Sequence, residues 1–400
     1  MRILLIGASG FIGNALLHAI TSSCQQHEVI TAGRRPLDGY EKWRRLDFEA
    51  EEGWDDSLLD DIQLLINAAG VIEGDLDSVH RIGPMRLYPK CVSLGVNVIH
   101  ISALGAERSD LDLEFLRTKR ATDKYLINYS NARVIYPAVV IGRNGKSSRF
   151  LSEIAQQPIV LVPKGVTLPT VHISQLADVV MEAIDRFESF PAKTFVVAKP
   201  DSLKTLFDSI SKRKKWYLSI DVRFFVVLFR LFPDLSFGVF NRETFIMMKS
   251  IRSEDYPILS DRVSELLKPG ELVASRVLPN HIALLAVSFI WVWSGVITLL
   301  SWELSVELIN RVGLYGLLAS GGVWLGAVLD ILLGVLVFFR KYQRPVLVIQ
   351  GLIILCYTLI LTVFDSGHWM HPFGILAKNI PLLALTFYLY SYGGCSINDN

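Results

Sequence analysis

Seven residues near the start of the chain carry its first recognisable chemistry: Gly7-Ala8-Ser9-Gly10-Phe11-Ile12-Gly13. They follow a short apolar run and open a second one with helical spacing. Gly7 permits a tight turn, Gly10 lets the backbone approach a pyrophosphate, and Gly13 allows close packing of helix on strand. A helix starting there offers free N–H groups and the positive end of its dipole to phosphate. With Ser9, Phe11 and Ile12 between the glycines, the loop is expected to cradle a nicotinamide dinucleotide. A glycine triplet alone is weak evidence; its place between a strand and a helix makes it specific.

The end of the next strand selects the dinucleotide. A NAD site usually carries an acidic residue there, bonded to the ribose 2′-OH. This chain reads Gly33-Arg34-Arg35 instead. Guanidinium groups suit a 2′-phosphate through bidentate contacts, so NADP(H) is expected in preference to NAD(H). The alternative is a pair of solvated arginines.

These residues need a scaffold, and residues 1–270 read as one. Apolar strands are expected at RILLIGA, EVITAGR, WRRLDFE, IQLLINAAG, VNVIHISALG and RVIYPAVVIG, with a later one at KTFVVAK. Helical patterns separate several of them, which predicts an α/β fold with a doubly wound parallel (Rossmann) sheet. Consecutive apolar residues suit a sheet buried on both faces. From about Phe150 the pattern loosens into a small substrate lobe. Its segment KRKKWYLSIDVRFFVVLFRLF joins a basic cluster, Lys212 to Lys215, to an apolar-aromatic run. That segment reads either as a helix of the lobe or as an interfacial helix on anionic lipid.

The composition is divided. The net charge of +1 gives no pointer to nucleic acid, and four cysteines at 24, 91, 356 and 395 form neither a metal-ligand spacing nor a disulfide framework. The glycines interrupting the apolar N-terminus argue against a signal peptide. Mean hydropathy is +0.38. Only 9 of the 79 charged side chains fall between 281 and 393. After a linker at 271–280, apolar stretches at 281–300, 313–339, 345–364 and 379–393 are expected to form an all-α bundle of four transmembrane helices, the fourth marginal in length. Arg340, Lys341 and Arg344 crowd the second connection. The positive-inside rule therefore puts that connection, the Rossmann domain and the C-terminus in the cytoplasm, with the bundle in the cell membrane. Asp330 lies within a span, where a carboxylate normally faces the bundle interior, for a structural bond or a proton or substrate role. His368 and His371, near the outer face, have the chemistry for a headgroup or metal, although loop histidines usually bind neither.

The glycine spacing, Leu46-Asp47-Phe48 and Asn67-Ala68-Ala69-Gly70 together resemble the extended and atypical branch of the short-chain dehydrogenase/reductase superfamily. VIHISALGAE followed by FLRTKRATDKYL looks most like the atypical group containing the nucleotide-binding accessory subunit of respiratory complex I. The resemblance implies that Asp47 contacts adenine, with Phe48 beside it. It also implies that Asn67 to Gly70 line the cofactor, that Pro137 closes the site, and that Lys119 holds the ribose. Catalysis in that superfamily uses Ser, Tyr and Lys, with Tyr and Lys at i, i+4 on one helix face. Ser102 and Lys119 occupy two of the positions; Phe115, with no proton to transfer, occupies the third. Tyr125 is a poor substitute, about 240° round the helix from Lys119. LPNHIALLAVSFIWVWSGVITLLS and HPFGILAKNIPLLAL resemble the DoxX-like membrane family.

The reading is a membrane-anchored NADP(H)-dependent oxidoreductase taking an apolar substrate, such as a quinone, isoprenoid or lipid, from the bilayer. Water or Tyr136 would supply the proton. The rival is a non-catalytic NADPH sensor or scaffold for a membrane partner; an isomerase or epimerase comes third.

Overall fold

The computed structural model describes the chain except residues 26, 51, 73, 158, 232–240, 269–270, 273–276, 312, 365–368, 370–375 and 393–400. His368 and His371 lie outside the described residues. Two compact units divide at Ser275/Arg276.

Among the described residues, twelve strands belong to the first unit: β1 (Arg2–Ile6), β2 (Glu28–Gly33), β3 (Trp43–Arg45), β4 (Leu64–Asn67), β5 (Asn97–Ile101), β6 (Ala132–Pro137), β7 (Val139–Ile141), β8 (Ile159–Pro163), β9 (Thr170–His172), β10 (Lys193–Ala198), β11 (Trp216–Ile220) and β12 (Ile258–Ser260). Eight of them form one parallel sheet in the order β12-β10-β6-β5-β4-β1-β2-β3. That is the doubly wound order, which reverses between β1 and β4 and opens a ligand crevice at the strands' carboxyl ends. Helices α1 (Phe11–Ser22), α2 (Gly83–Ser93), α3 (Glu114–Leu126), α4 (Lys146–Ala155) and α5 (Ile173–Asp185) follow along the chain. The strand interiors are fully buried, Ile3 to Ile6 and Leu64 to Ile66 among them, as continuous apolar runs require.

Two expectations change. RVIYPAVVIG, read as one strand, breaks at Ala138: β6 stays in the main sheet, while β7 pairs with β9. The basic-aromatic segment, read as a helix, forms β11, paired with β8, and only then a helix. That helix is α7 (Val222–Leu231), after α6 (Leu203–Ile210) and before α8 (Arg242–Ser250) and the short α9 (Val263–Leu266).

The second unit contains α10 (Val277–Leu300), α11 (Trp302–Arg311), α12 (Leu317–Leu336), α13 (Arg340–Phe364) and α14 (Asn379–Tyr392). Three of these, α10, α12 and α13, are long and apolar enough to cross a membrane. α14, at 14 residues, rises about 21 Å, short of the roughly 30 Å core. The amphipathic α11, absent from the sequence reading, occupies the first connection. α10 and α12 cross closely: a Cβ on Gly295 would lie 2.5 Å from the Ala327 carbonyl, and one on Gly334 2.7 Å from Val292. Asp330 does face the bundle interior, where Ser294 Oγ donates to it at 3.0 Å.

Candidate active site

The glycine loop is built by contact. Gly7 sits at φ +81°, and a Cβ on it would lie 2.8 Å from the Ala69 nitrogen. A Cβ on Gly13 would lie 2.0 Å from the Gly7 carbonyl. Gly10 is different: only the Gly7 carbonyl, at 3.2 Å, would be near, and the other side is open. Its amide closes the turn onto Gly7 O at 2.9 Å, and it caps α1 with no side-chain acceptor. The first amides of α1 therefore have no partner from a capping side chain. Uncapped amides beside an open glycine suit a pyrophosphate, so the residues fit a dinucleotide. Ser9 and Gly10 are exposed and Ile12 half-buried. The Phe11 ring lies against Gly142 and Gly145, each too close to accept a Cβ without a shift.

At the end of β2, Arg34 and Arg35 are exposed, with Arg34 in a loose 3.4 Å contact to Glu49. Asp47 caps its own turn, accepting from the Glu49 amide at 3.0 Å. Phe48 departs from the expectation: its ring is buried edge-on to Trp54 and fills the space over Gly83, so it is core.

Asn67 is buried. Its Oδ1 accepts from the Ala69 amide at 3.0 Å, and its Nδ2 donates to Tyr88 OH at 2.8 Å. It thereby shapes the Ala68-Ala69-Gly70 turn against Gly7. Tyr88 OH, already accepting, donates to His100 Nδ1 at 2.8 Å. The remaining His100 proton then sits on Nε2, 3.5 Å from Asp123 Oδ1. Burial holds His100 well below its ordinary pKa, and hence neutral.

Asp123 is the group the sequence reading missed. It lies four residues beyond Lys119 and eight beyond Phe115, on the inward face of α3. Ser102, just after β5, donates to Asp123 Oδ2 at 2.6 Å; both are buried. Burial pushes Asp123 up to about 7, against the opposing pull of Ser102 and Lys119. Lys119 is buried too, with Nζ 3.3 Å from the Ile101 carbonyl and 5.8 Å from the Phe115 ring centre. Burial lowers it to about 8. A Cβ on Gly70 would lie 3.7 Å from Lys119 Nζ, so the ammonium stands beside the turn opposite the glycine loop. Tyr136 is buried, stacked on Phe195, and interacts with Asp123; burial raises its phenol further. Pro137 ends β6, and its carbonyl fixes the Leu104 amide at 2.9 Å.

His80 completes the cluster from a π-helical turn, Ser78–Ile82, of a kind frequent at functional sites. Its Nε2 accepts from the Val71 amide at 3.1 Å, leaving Nδ1 to donate to Thr118. Phe115 packs edge-on to His80 at 5.4 Å. Tyr125 instead packs on Tyr129, away from the cluster. One signal for Asp123 was available: the buried stripe of α3 carries Thr118, Lys119, Thr122 and Asp123, four polar side chains where a structural helix places apolar ones.

The fold and these groups define a Rossmann-type unit with an inward-facing serine, lysine and aspartate. Residues 288–387, in the second unit, match the DoxX-like family. The chain is similar to the mitochondrial protein FMP52 of Debaryomyces hansenii, at 23% identity over 176 residues, which is 39% of this chain and 74% of that protein. Among solved structures, a dTDP-4-dehydrorhamnose reductase from Clostridium acetobutylicum aligns over 56% of this chain and 85% of its own, at 16% identity and TM-score 0.47. A UDP-N-acetylglucosamine 4-epimerase from Bacillus cereus covers 55% and 88%, at 17% identity and TM-score 0.46. A short-chain dehydrogenase/reductase superfamily protein from Agrobacterium tumefaciens with bound NAD covers 55% and 85%, at 12% identity and TM-score 0.45. The resemblance of the C-terminal helices to the DoxX-like family, drawn from the sequence, thus recurs in the family match.

Proposed function

We propose that this chain is a membrane-anchored, NADP(H)-dependent oxidoreductase that acts on an apolar substrate such as a quinone, isoprenoid or lipid. One observation carries the reading: the glycine loop, open at Gly10, packs through Gly7 against a turn beside which stands the buried Lys119 ammonium. Gly7, Gly10 and Gly13 would hold the pyrophosphate, Arg34 and Arg35 the 2′-phosphate, and Lys119 the ribose. Asp47 would meet the adenine. When bound, the dinucleotide supplies a hydride. The chain's own task is then to deliver a proton to the substrate oxygen.

Phe115 has no proton to give, but Ser102 does. For Ser102 Oγ to pass its proton to substrate the 2.6 Å bond must reverse, with a protonated Asp123 Oδ2 donating to Ser102 Oγ and replacing the proton as it leaves. The adjacent Lys119 charge stabilises the carboxylate left behind. Asp123 thus acts through Ser102 as a positioning residue. Tyr136, held neutral by burial, orients Asp123. Lys119 and Ser102 are the proposed catalytic residues.

The bundle would lie in a cell membrane with Arg340, Lys341 and Arg344, at the start of α13, on the cytoplasmic side together with the nucleotide-binding unit. The domain limits proposed are 1–270, with 271–280 as linker and 281–393 as the bundle. Phe115 favours one other reading, a sensor or scaffold that binds NADPH without chemistry. The full chain in detergent, given NADPH and a panel of quinones and isoprenoid aldehydes, separates the two. Substrate-dependent oxidation that is lost in Lys119→Met supports the enzyme. Tight NADPH binding without turnover on any acceptor supports the sensor.

A further inference from the structure

The lobe around β8 and β11 has an unusual exterior. The register pairs Trp216 with Ile159 and Leu218 with Leu161. The alternate residues, Val160 and Tyr217, turn inward onto a core with Leu206 and Phe207. A sheet with one buried face ordinarily gives polar side chains to the other. Here all four paired residues are apolar and exposed, Trp216 by 80%.

A second exposed apolar stripe lies on α7, which Asp221 alone separates from β11. Phe225 and Phe229 pack inward on Phe245. Phe224, Val227 and Leu231, at i, i+3 and i+7, form an exposed stripe, with Arg223 and Arg230 beside it at 100° per residue. Lys212, Arg213 and Lys214, just before β11, are also exposed. Lys215 is not part of that surface: its ammonium is tucked against the Phe207 and Ser211 carbonyls at the end of α6. None of the five exposed basic side chains has an ion-pair partner among the described residues.

We infer that this face is a docking surface for an anionic lipid bilayer. The two apolar stripes enter the headgroup–acyl boundary, and the five basic side chains meet anionic headgroups. Two arguments favour lipid over protein. Exposed apolar residues that include a tryptophan, with lysine and arginine nearby in the chain, suit the interfacial zone. Exposed lysine and arginine are attracted to anionic leaflets. A second copy is disfavoured, because a twofold contact would bring like charges together. The inference does not depend on nucleotide binding.

The test uses the full chain in nanodiscs. An environment-sensitive fluorophore is placed on Trp216→Cys, with Cys24, Cys356 and Cys395 changed to serine and the buried Cys91 retained. The discs contain brominated phosphatidylcholine, with or without phosphatidylglycerol. Flotation with the discs reports membrane insertion separately. The expected result is blue-shifted emission with at least about twofold quenching in the anionic discs. Lys212→Glu, Arg213→Glu and Lys214→Glu together should abolish that increment, while a label on Leu94→Cys stays aqueous. Three results would overturn the inference: a label at 216 that stays aqueous in a floated chain, quenching equal in both discs and indifferent to charge reversal, or a label equally buried in detergent because a second copy or another protein covers it.

Discussion

Replacing Asp123 with asparagine tests the electrostatics of the buried cluster. Asparagine keeps the shape and an acceptor for Ser102 but cannot ionise. Burial raises Asp123 from 3.8 to about 7, so the folded protein holds its proton more tightly than the unfolded chain. The stability from that proton is fully present below about pH 4 and is lost as pH rises through 7. Three pKa units at 1.36 kcal/mol each make the whole loss about 4 kcal/mol, of which about 3 falls between pH 4.5 and 7. Lys119 runs the other way: lowered from 10.5 to about 8, it contributes stability above pH 10.5 that is lost as pH falls through 8. Below pH 7 the difference between variant and wild type therefore isolates Asp123. Asp123→Asn should match wild type near pH 4.5 and gain on it by about 3 kcal/mol at pH 7, a difference in melting temperature on the order of 5–10 °C. Unfolding of the full chain in detergent, followed by intrinsic fluorescence at several pH values, measures it. Turnover should fall by about 10²-fold, and the limb near pH 7 should vanish from the profile. A variant that loses stability relative to wild type as pH rises would refute the reasoning, because Asp123 would then be an ordinary ion-paired carboxylate.

Arg34→Ala with Arg35→Ala should weaken NADPH by about 10- to 100-fold and leave NADH unchanged, from a charge-assisted contact of about 1.5–3 kcal/mol; calorimetry decides it, and equal loss for both would remove the NADP assignment. Phe115→Tyr places a hydroxyl four residues before Lys119 on the same helix face, so it should raise turnover with cofactor affinity nearly unchanged, whereas a sensor would show no catalytic change. A cysteine at Gln343 should label only from the side of the nucleotide-binding unit in sealed vesicles; labelling from the opposite side alone reverses the topology.

The sheet was legible because buried parallel strands are written as unbroken apolar runs between turn residues. The break at Ala138 was not, because β6 and β7 are both apolar and only their partners, β5 and β10 against β9, separate them. β11 was hidden in the same way: WYLSI alternates, but its outward residues are apolar too, and a basic cluster beside an aromatic run imitates an amphipathic helix. In the site, the glycine loop was read from spacing alone, and the structure gives Gly7 and Gly13 a steric reason while leaving Gly10 open on one side. Phe48 was misplaced because the neighbour of a cofactor residue can as easily point into the core. Asp123 went unread because the expected pattern stops at Lys119. Its partners Ser102 and His100 come from β5 and the turn that follows, so only the folded sheet brings them to α3.

The central claim is that the loop from Gly7 to Gly13 binds a nicotinamide dinucleotide, and Gly10→Val tests it most directly. Its side chain would enter the open side of the loop while meeting little protein, so the fold should lose about 1 kcal/mol or less, the scale of an altered helix cap. Calorimetric titration of the full chain in detergent should give one NADPH site per chain, weaker binding of NADH, and no binding of either by Gly10→Val at a nearly unchanged melting temperature. Folded wild-type protein that binds neither dinucleotide, or a Gly10→Val variant that binds as wild type does, would contradict the account.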